Sequence, residues 1–413
     1  MSGAPLVAEE SSGSAAPVTV RTLAGPLNGA VGGVAVDRLG FVYVADFGET
    51  VWKISPWGEV EVFAEDLYAA SGNGIDSEGR LLQSSFRAGT VHRIDRDGSK
   101  TLLARDLQGP VGVLEHADGS VYVCGCAGNV IYRLGAEGKM GEGEAEVFAE
   151  GDLFNCPNGI TQDAQGNLYV ANFSDGRVIR IDADGQAAVH ATIPGGGNGH
   201  LVAVAGELFV TGFRANRIYR VTADGEVQPF AGTGTFGQQD GAAEEAQFAT
   251  PNGIAYNPVR DALYVNDYLL TWPQRWSGRE RPRSTVREIL FPTLEEIFEA
   301  GFASGGEEGA RAALRHHTQT RTGRPWQPVL NLFGYGLLRG DQVDRALAVF
   351  ELNAELFPQS FNVWDSLAEA HRKAGHREKA IELYRKSLEL NPQNNNARAM
   401  LEEMGQTANH PRR

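Results

Sequence analysis

Between residues 17 and 291 one pattern is written six times, at intervals of roughly 40 residues, and a chain with that pattern can bury its faces only by stacking the copies. The second strand of each copy reads FVYVADF (41–47), RLLQSSF (80–86), SVYVCGC (120–126), NLYVANF (167–173), ELFVTGF (207–213) and ALYVNDY (262–268). Third strands follow as TVWKI (50–54), TVHRI (90–94), NVIYRL (129–134), RVIRI (177–181), NRIYRV (216–221) and STVREI (284–289). Alternation of β-branched or aromatic residues with polar ones marks each as a strand with two distinct faces. A fourth strand is legible in five copies, as VEVFAE, KTLLAR, AEVFAE, AAVHAT and VQPFAG, and nothing like it follows STVREILF. The orphan VTVRTLAG (18–25) matches VQPFAG and predicts that the N-terminus completes the sixth copy. Six four-stranded blades closed in this way leave no long exposed sheet edge, so the expected fold is all-β, a six-bladed propeller.

The tetrapeptide PNGI stands at 157–160 and again at 251–254. Counting back seven residues from the turn glycines Gly40, Gly79, Gly119, Gly166 and Gly206 reaches Gly33, Gly72, Gly112, Gly159 and Gly199, with Gly253 in the sixth copy. The residue before each glycine is expected at the mouth of the central channel: Gly32, Ser71, Val111, Asn158, Asn198 and Asn252. This register sets three asparagines side by side. They either cap the turn into the inner strand or hold a ligand.

Repeats of the form P-x-G-[IV]-A-x-D…G-x-[LV]-Y-V-A-[DN] resemble the NHL-repeat and regucalcin/gluconolactonase-like (SMP-30-like) propellers, and FAGTGTFGQQDGAAEEAQFATPNGIAY (230–256) is similar to the NHL form. The resemblance covers about residues 17–291. It implies lactonases, related ester hydrolases or pure interaction modules. In the lactonase branch it implies a divalent cation, Ca²⁺ first, held by a Glu of the first inner strand and by Asn and Asp of blades four and five. Asn158 matches the Asn, Asn198 falls where the Asp would be, and Gly32 occupies the place of the Glu. Asn158, Asn198 and Asn252 are therefore the metal candidates. Calcium-type ions favour charged oxygens, so a carboxylate must come from elsewhere, and Asp46 and Asp267, at equivalent strand ends in neighbouring blades, are the candidates.

His200 follows Gly199 where other copies carry Ile160, Ile254, Val34 or Val113, an ionisable group in an apolar column, and is either a general base or a buried histidine satisfied by its neighbours. Asn73 departs in the same way in blade two and, with Ser71, is expected to touch substrate. The insertion LLTWPQRWSGRERPRS (269–284) brings Trp272, Arg275, Trp276 and Arg279 to the same rim, either as a basic and aromatic lid suited to a planar or anionic ligand or as a solvated loop or strap to the second domain. No Gly-x-Ser-x-Gly elbow or phosphate-binding loop occurs, so neither a nucleotide nor a redox cofactor is expected. The leading function is metal-assisted hydrolysis of a lactone or ester. The alternatives are a non-catalytic protein-interaction scaffold and a lyase or cyclase using the same pocket.

From about residue 293 the hydrophobic period changes from two to 3.6. PTLEEIFEAGF and EEGARAALRHH read as two connector helices (292–326). Residues 327–405 resemble two tetratricopeptide repeats with a capping helix: Pro358 and Pro392 stand one repeat apart, and Ala346, Phe350, Phe333 and Leu330 recur as Ala380, Tyr384, Leu367 and Trp364. The resemblance implies a short groove lined by Asn331, Tyr335, Arg339, Asn362, Asp365, Glu369 and Arg372, for a protein or peptide partner or for self-association. Residues 1–16 and 406–413 read as flexible tails. A net charge of −15 argues against nucleic-acid binding, and no apolar run is long enough to cross a membrane. Without a signal-like start the chain is expected to be cytoplasmic, and the three cysteines, Cys124, Cys126 and Cys156, are expected simply to pack.

Overall fold

The computed structural model describes residues 16–29, 32–135, 145–269, 283–321 and 324–405. It divides into two units with a boundary between Phe291 and Pro292.

The β unit is the six-bladed propeller. Blade one comprises Val34–Val36, Val42–Ala45, Val51–Ile54 and Val60–Ala64, and blades two to five repeat the same antiparallel order from inside outwards. Blade six runs Ile254–Asn257, Ala262–Tyr268, Arg283–Leu290 and then Thr19–Asn28, with the short strand Gly241–Ala242 outermost. The N-terminal strand thus closes the ring, pairing Thr19 with Leu290 and Val20 with Ile289. Each of the six seams between blades holds its own apolar cluster, such as Val34, Val44, Ala255 and Tyr264 between blades six and one. In that cluster Val34 and Val44 belong to the face that each blade turns towards the preceding one.

Three of the six first hairpins, those of blades one, two and four, are closed by an Asp-x-x-Gly turn. Asp37 Oδ1 accepts from the amides of Leu39 and Phe41, both at 2.9 Å, and Gly40 takes a left-handed φ of 90°. Blade five differs. Val204 pairs with Glu207 around Ala205 and Gly206, both at positive φ, a tight hairpin one residue shorter than its counterparts. In blade four, Gln162 pairs with Leu168; in blade five, Ala203 pairs with the equivalent Leu208.

The helical unit begins with α1 (Leu294–Thr320), opened by a capping box between Thr293 and Glu296 and broken by non-helical backbone at Gly305 and Gly306, so that it is two helices in sequence as expected. Then follow α2 (Trp326–Arg339), α3 (Val343–Leu356), α4 (Phe361–Lys373), α5 (Arg377–Leu390) and α6 (Asn395–Glu403). Phe298, Leu314, Leu330, Phe350, Val363, Tyr384 and Leu401 share one core. Gly334 is required by close packing, since a Cβ there would lie 2.7 Å from the Phe350 ring.

Candidate functional site

The mouth is built where each inner strand starts and each second strand ends. Inner strands enter through a left-handed residue, Ala69, Gly109, Cys156, Gly197 or Thr250. They then bulge before regular pairing begins. Next comes the contact that closes the ring. A Cβ added to Gly33 would lie 2.8 Å from Gly72 Cα, one on Gly112 3.1 Å from Gly159 Cα, and one on Gly253 2.9 Å from the carbonyl carbon of Gly33. Neighbouring backbones touch there, and glycine is what permits it.

Blade five departs from the register read by counting from turn glycines. A Cβ on Gly159 would lie 2.6 Å from His200 Cα, not against Gly199. His200 N donates to Asn252 O at 2.8 Å, as Gly33 N does to Ser71 O at 2.8 Å. Leu201 pairs with Val210 as Ile160 pairs with Val170. His200 therefore occupies the axial glycine position of blade five and is not in the apolar column, where Leu201 sits. The cause is the shorter hairpin, which moves every residue before it by one place.

The mouth ring is consequently Gly32, Ser71, Val111, Asn158, Gly199 and Asn252, with two asparagines instead of three. Asn158 Nδ2 donates to Gly199 O at 2.9 Å and Asn252 Nδ2 to Gly32 O at 3.3 Å, so each clips its blade to the next. Gly32 O also accepts from Asn266 Nδ2 at 3.0 Å. Asn198 is fully buried, and its Nδ2 donates at 3.4 Å to the carbonyl of Arg177 in the third strand of blade four, so it does not join the other two. Ser71 is buried in the ring, and Asn73 lies beyond it in the apolar column.

The two carboxylates do not complete a metal site. Asp46 Oδ1 accepts from Gly48 N at 2.6 Å and Thr50 N at 3.1 Å, folding back on its own turn. Asp267 is buried and bonded at 3.0 Å to Arg287, and burial pushes its carboxyl up to about 8 against the pull of that guanidinium. Among the described residues no three His, Cys, Asp or Glu side chains converge. Two neutral amides whose NH₂ groups are engaged on carbonyls do not fit a calcium-type ion, which favours several charged oxygens. Burial lowers His200 to about 4, so its imidazole is uncharged at neutral pH.

Three features of the rim were missed by sequence reasoning. Residues leaving the second strands are Phe47, Phe86, Phe173, Phe213 and Tyr268, with ring centroids 5.8 Å apart for Phe47–Phe86 and 5.6 Å for Phe173–Phe213. Their signal was in plain view, as the last letter of five of the six quoted strands. In blade three that letter is Cys126, and it is bonded to Cys156 of the next blade. Only Cys124 packs as a free, buried thiol, so the expectation that all three do is corrected. Arg287, the third feature, is fully buried and holds the 231–250 connection through Gln239 O, Gln247 O and Asp240. Trp272, Arg275, Trp276 and Arg279 lie outside the described residues.

Of the residues expected to line a helical groove, Tyr335 donates its Oη hydrogen to Glu369 at 2.9 Å. Asp365 is buried and accepts from Asn394 and Asn396, so both oxygens of this carboxylate tie α4 to the start of α6.

Residues 71–214 match the family model described as SMP-30/Gluconolactonase/LRE-like region, and residues 361–394 match that of the tetratricopeptide repeat. The resemblances carried by the sixfold pattern and by the helical tail are both borne out. Among solved structures, the chain is similar to a gluconolactonase from Xanthomonas campestris, at 17% identity over 67% of this chain and 92% of that one, with a TM-score of 0.51. It is also similar to two proteins from Bacteroides thetaiotaomicron, each covering 66% of this chain and 76% of theirs. One is of unknown function, at 14% identity and a TM-score of 0.54. The other is an auxiliary nutrient binding protein, at 16% identity and a TM-score of 0.53. At such identities the likeness establishes the fold alone. No curated protein matches the chain. No helix among the described residues is long and apolar enough to cross a membrane.

Proposed function

We propose that the propeller mouth binds a small uncharged molecule and that hydrolysis of a lactone or ester is the reaction it serves. One observation carries the reading: a buried, neutral histidine, His200, takes the ring position where a glycine is the rule, with its backbone N on Asn252 O at 2.8 Å, and the rim of the same propeller carries a row of aromatic residues. Apolar walls around a few convergent polar groups are how small-molecule sites are built. The gluconolactonase-like match over 71–214 supports the choice of reaction.

Opening a lactone adds water to a carbonyl and releases an alcohol. His200 is too weak a base to store the proton of that water, but an uncharged imidazole can accept one hydrogen bond and donate another, and so suits holding the water or the carbonyl in place. The aromatic collar supplies face contacts to a ring and excludes bulk solvent.

The test is turnover of a panel of aliphatic and sugar-derived lactones and of nitrophenyl esters by the full chain, with EDTA or added Ca²⁺ in separate arms. His200→Gln and Asn158→Ala serve as controls. Hydrolysis that falls at least tenfold in His200→Gln supports the reading, and activity restored by Ca²⁺ after EDTA would reinstate the divalent cation. No turnover and no thermal shift with any member would leave the scaffold reading. That reading is favoured independently by the helical repeat match, and sedimentation velocity of the full chain tests its self-association arm.

A further inference from the structure

The sixfold repeat supplies an internal control for every position of a blade. In blade two, Asn73, Gln83 and His92 face one another across three strands, and the row Ala70, Ser85, Thr90 lies beside them towards the mouth. Paired residues share a face, as do residues two apart on a strand, so Asn73, Gln83, Ser85, Thr90 and His92 all point the same way. That face looks onto blade one. Ala70, Leu81 and Ile94 of the same face share a core with Ala35, Tyr43 and Ala45, and Asn73 Nδ2 donates to Tyr43 O at 3.4 Å.

Elsewhere the corresponding row is apolar or aromatic: Val34, Val44, Trp52 in blade one; Val113, Val123, Tyr132 in three; Ile160, Val170, Ile179 in four; Leu201, Val210, Tyr219 in five. Blade six introduces Arg287 after Ile254 and Val265, and there the guanidinium is bonded to Asp240 and Asp267. Blade two alone has three polar residues in the row. On this face five atoms shut off from solvent have no partner: Asn73 Oδ1, Gln83 Oε1, Ser85 Oγ, Thr90 Oγ1 and His92 Nδ1. Gln83 Nε2 is engaged, on the carbonyls of Ser71, Gly72 and Ser84, which fixes its oxygen as the free end.

Five such groups left dry would cost as much as the whole stability margin of a domain. No carboxylate belongs to the set, and burial lowers the pKa of His92, so the face is uncharged and does not suit an ion. Amide oxygens that accept, hydroxyls that do both and a ring nitrogen together match a molecule that donates and accepts at once. The small Ala35 and Ala45 oppose them. We infer that the seam between blades one and two is a built hydration site, a short file of buried water running outwards from Asn73 on the inner strand to His92 on the third. Its inner end adjoins the axial ring, where a Cβ on Gly33 would lie 2.8 Å from Asn73 Oδ1. The site does not rest on the hydrolysis proposed above, and its test is separate from turnover.

Water-oxygen-17 relaxation dispersion counts internal water. It is compared between wild type and a variant given the row of blade three, Asn73→Val, Gln83→Val and His92→Tyr. The expected result is the loss of about two long-lived waters, since each buried water bonds about three polar groups. An unchanged count together with a raised melting temperature would show the groups to be dry and overturn the inference. Should that variant not fold, the near-isosteric pair Ser85→Ala and Thr90→Val is compared instead, and it must lose at least about one water on the same reasoning. A high-resolution crystal structure of wild type gives the direct check: no ordered water within hydrogen-bonding distance of Gln83 Oε1 or Asn73 Oδ1 also overturns it.

Discussion

Asn158 and Asn252 do the same work in different blades, each donating an amide hydrogen to the carbonyl of a ring glycine in the next blade. The lost bond predicts that Asn158→Ala and Asn252→Ala each lower stability by about 0.5–1.5 kcal/mol. Calorimetry should show comparable losses at the two sites and no shift of either with EDTA or Ca²⁺. A calcium-dependent loss confined to Asn158 would contradict the clip. His200 gives a second expectation. Its folded-state pKa of about 4 lies below the unfolded 6.5, so its contribution to stability is complete above about pH 6.5 and is lost as the pH falls towards 4. The loss amounts to roughly 3 kcal/mol. Chemical denaturation across that range should show this acid limb in wild type and a flatter one in His200→Gln.

At the scale of elements, the rim between blades three and four is held covalently. Cys126 ends the second strand of one blade, Cys156 enters the inner strand of the next, and 30 residues separate them. On the chain-entropy account a loop of that length is worth about 3–4 kcal/mol. Cys126→Ala with Cys156→Ala should therefore lower the melting temperature markedly, while Cys124→Ala should not reproduce the effect. Thiol titration of the denatured, unreduced protein should count one reactive thiol, and three would contradict the bond. Disulfides persist mainly in oxidising surroundings, so the bond weighs against the expectation of a cytoplasmic protein.

The whole propeller depends on its N-terminal strand, Thr19–Asn28. Val20, Ala24 and Leu27 are buried in two different seams, with blade five on one side of blade six and with blade one on the other. Deleting residues 1–25 removes most of this strand and exposes the edge of Arg283–Leu290. The truncated protein should elute as aggregate and lack the cooperative β-sheet transition seen by circular dichroism. A truncation that melts like wild type would mean that the ring closes by another route.

The sixfold pattern, the closure by VTVRTLAG and the change to helical period at residue 293 were all legible, because each reports which residues of a short segment face apolar surroundings. Such alternation is local, and six copies average out the noise of any one. The site was less legible. One residue missing from the blade-five hairpin moved Asn198 out of the mouth and put His200 on the axis, an offset that pairing reveals and counting from glycines hides. The bond between Cys126 and Cys156 needs two blades to be neighbours at their rims, which no local pattern states. Asp46 and Asp267 stand at equivalent strand ends as expected, but one carboxylate turns to its own loop and the other to Arg287. Hydrophobic periodicity alone establishes the blades and their order, since it is written into each short segment. The chemistry of the mouth emerges at the level of the assembled ring, because it depends on which groups of adjacent blades meet, to within a single residue of register.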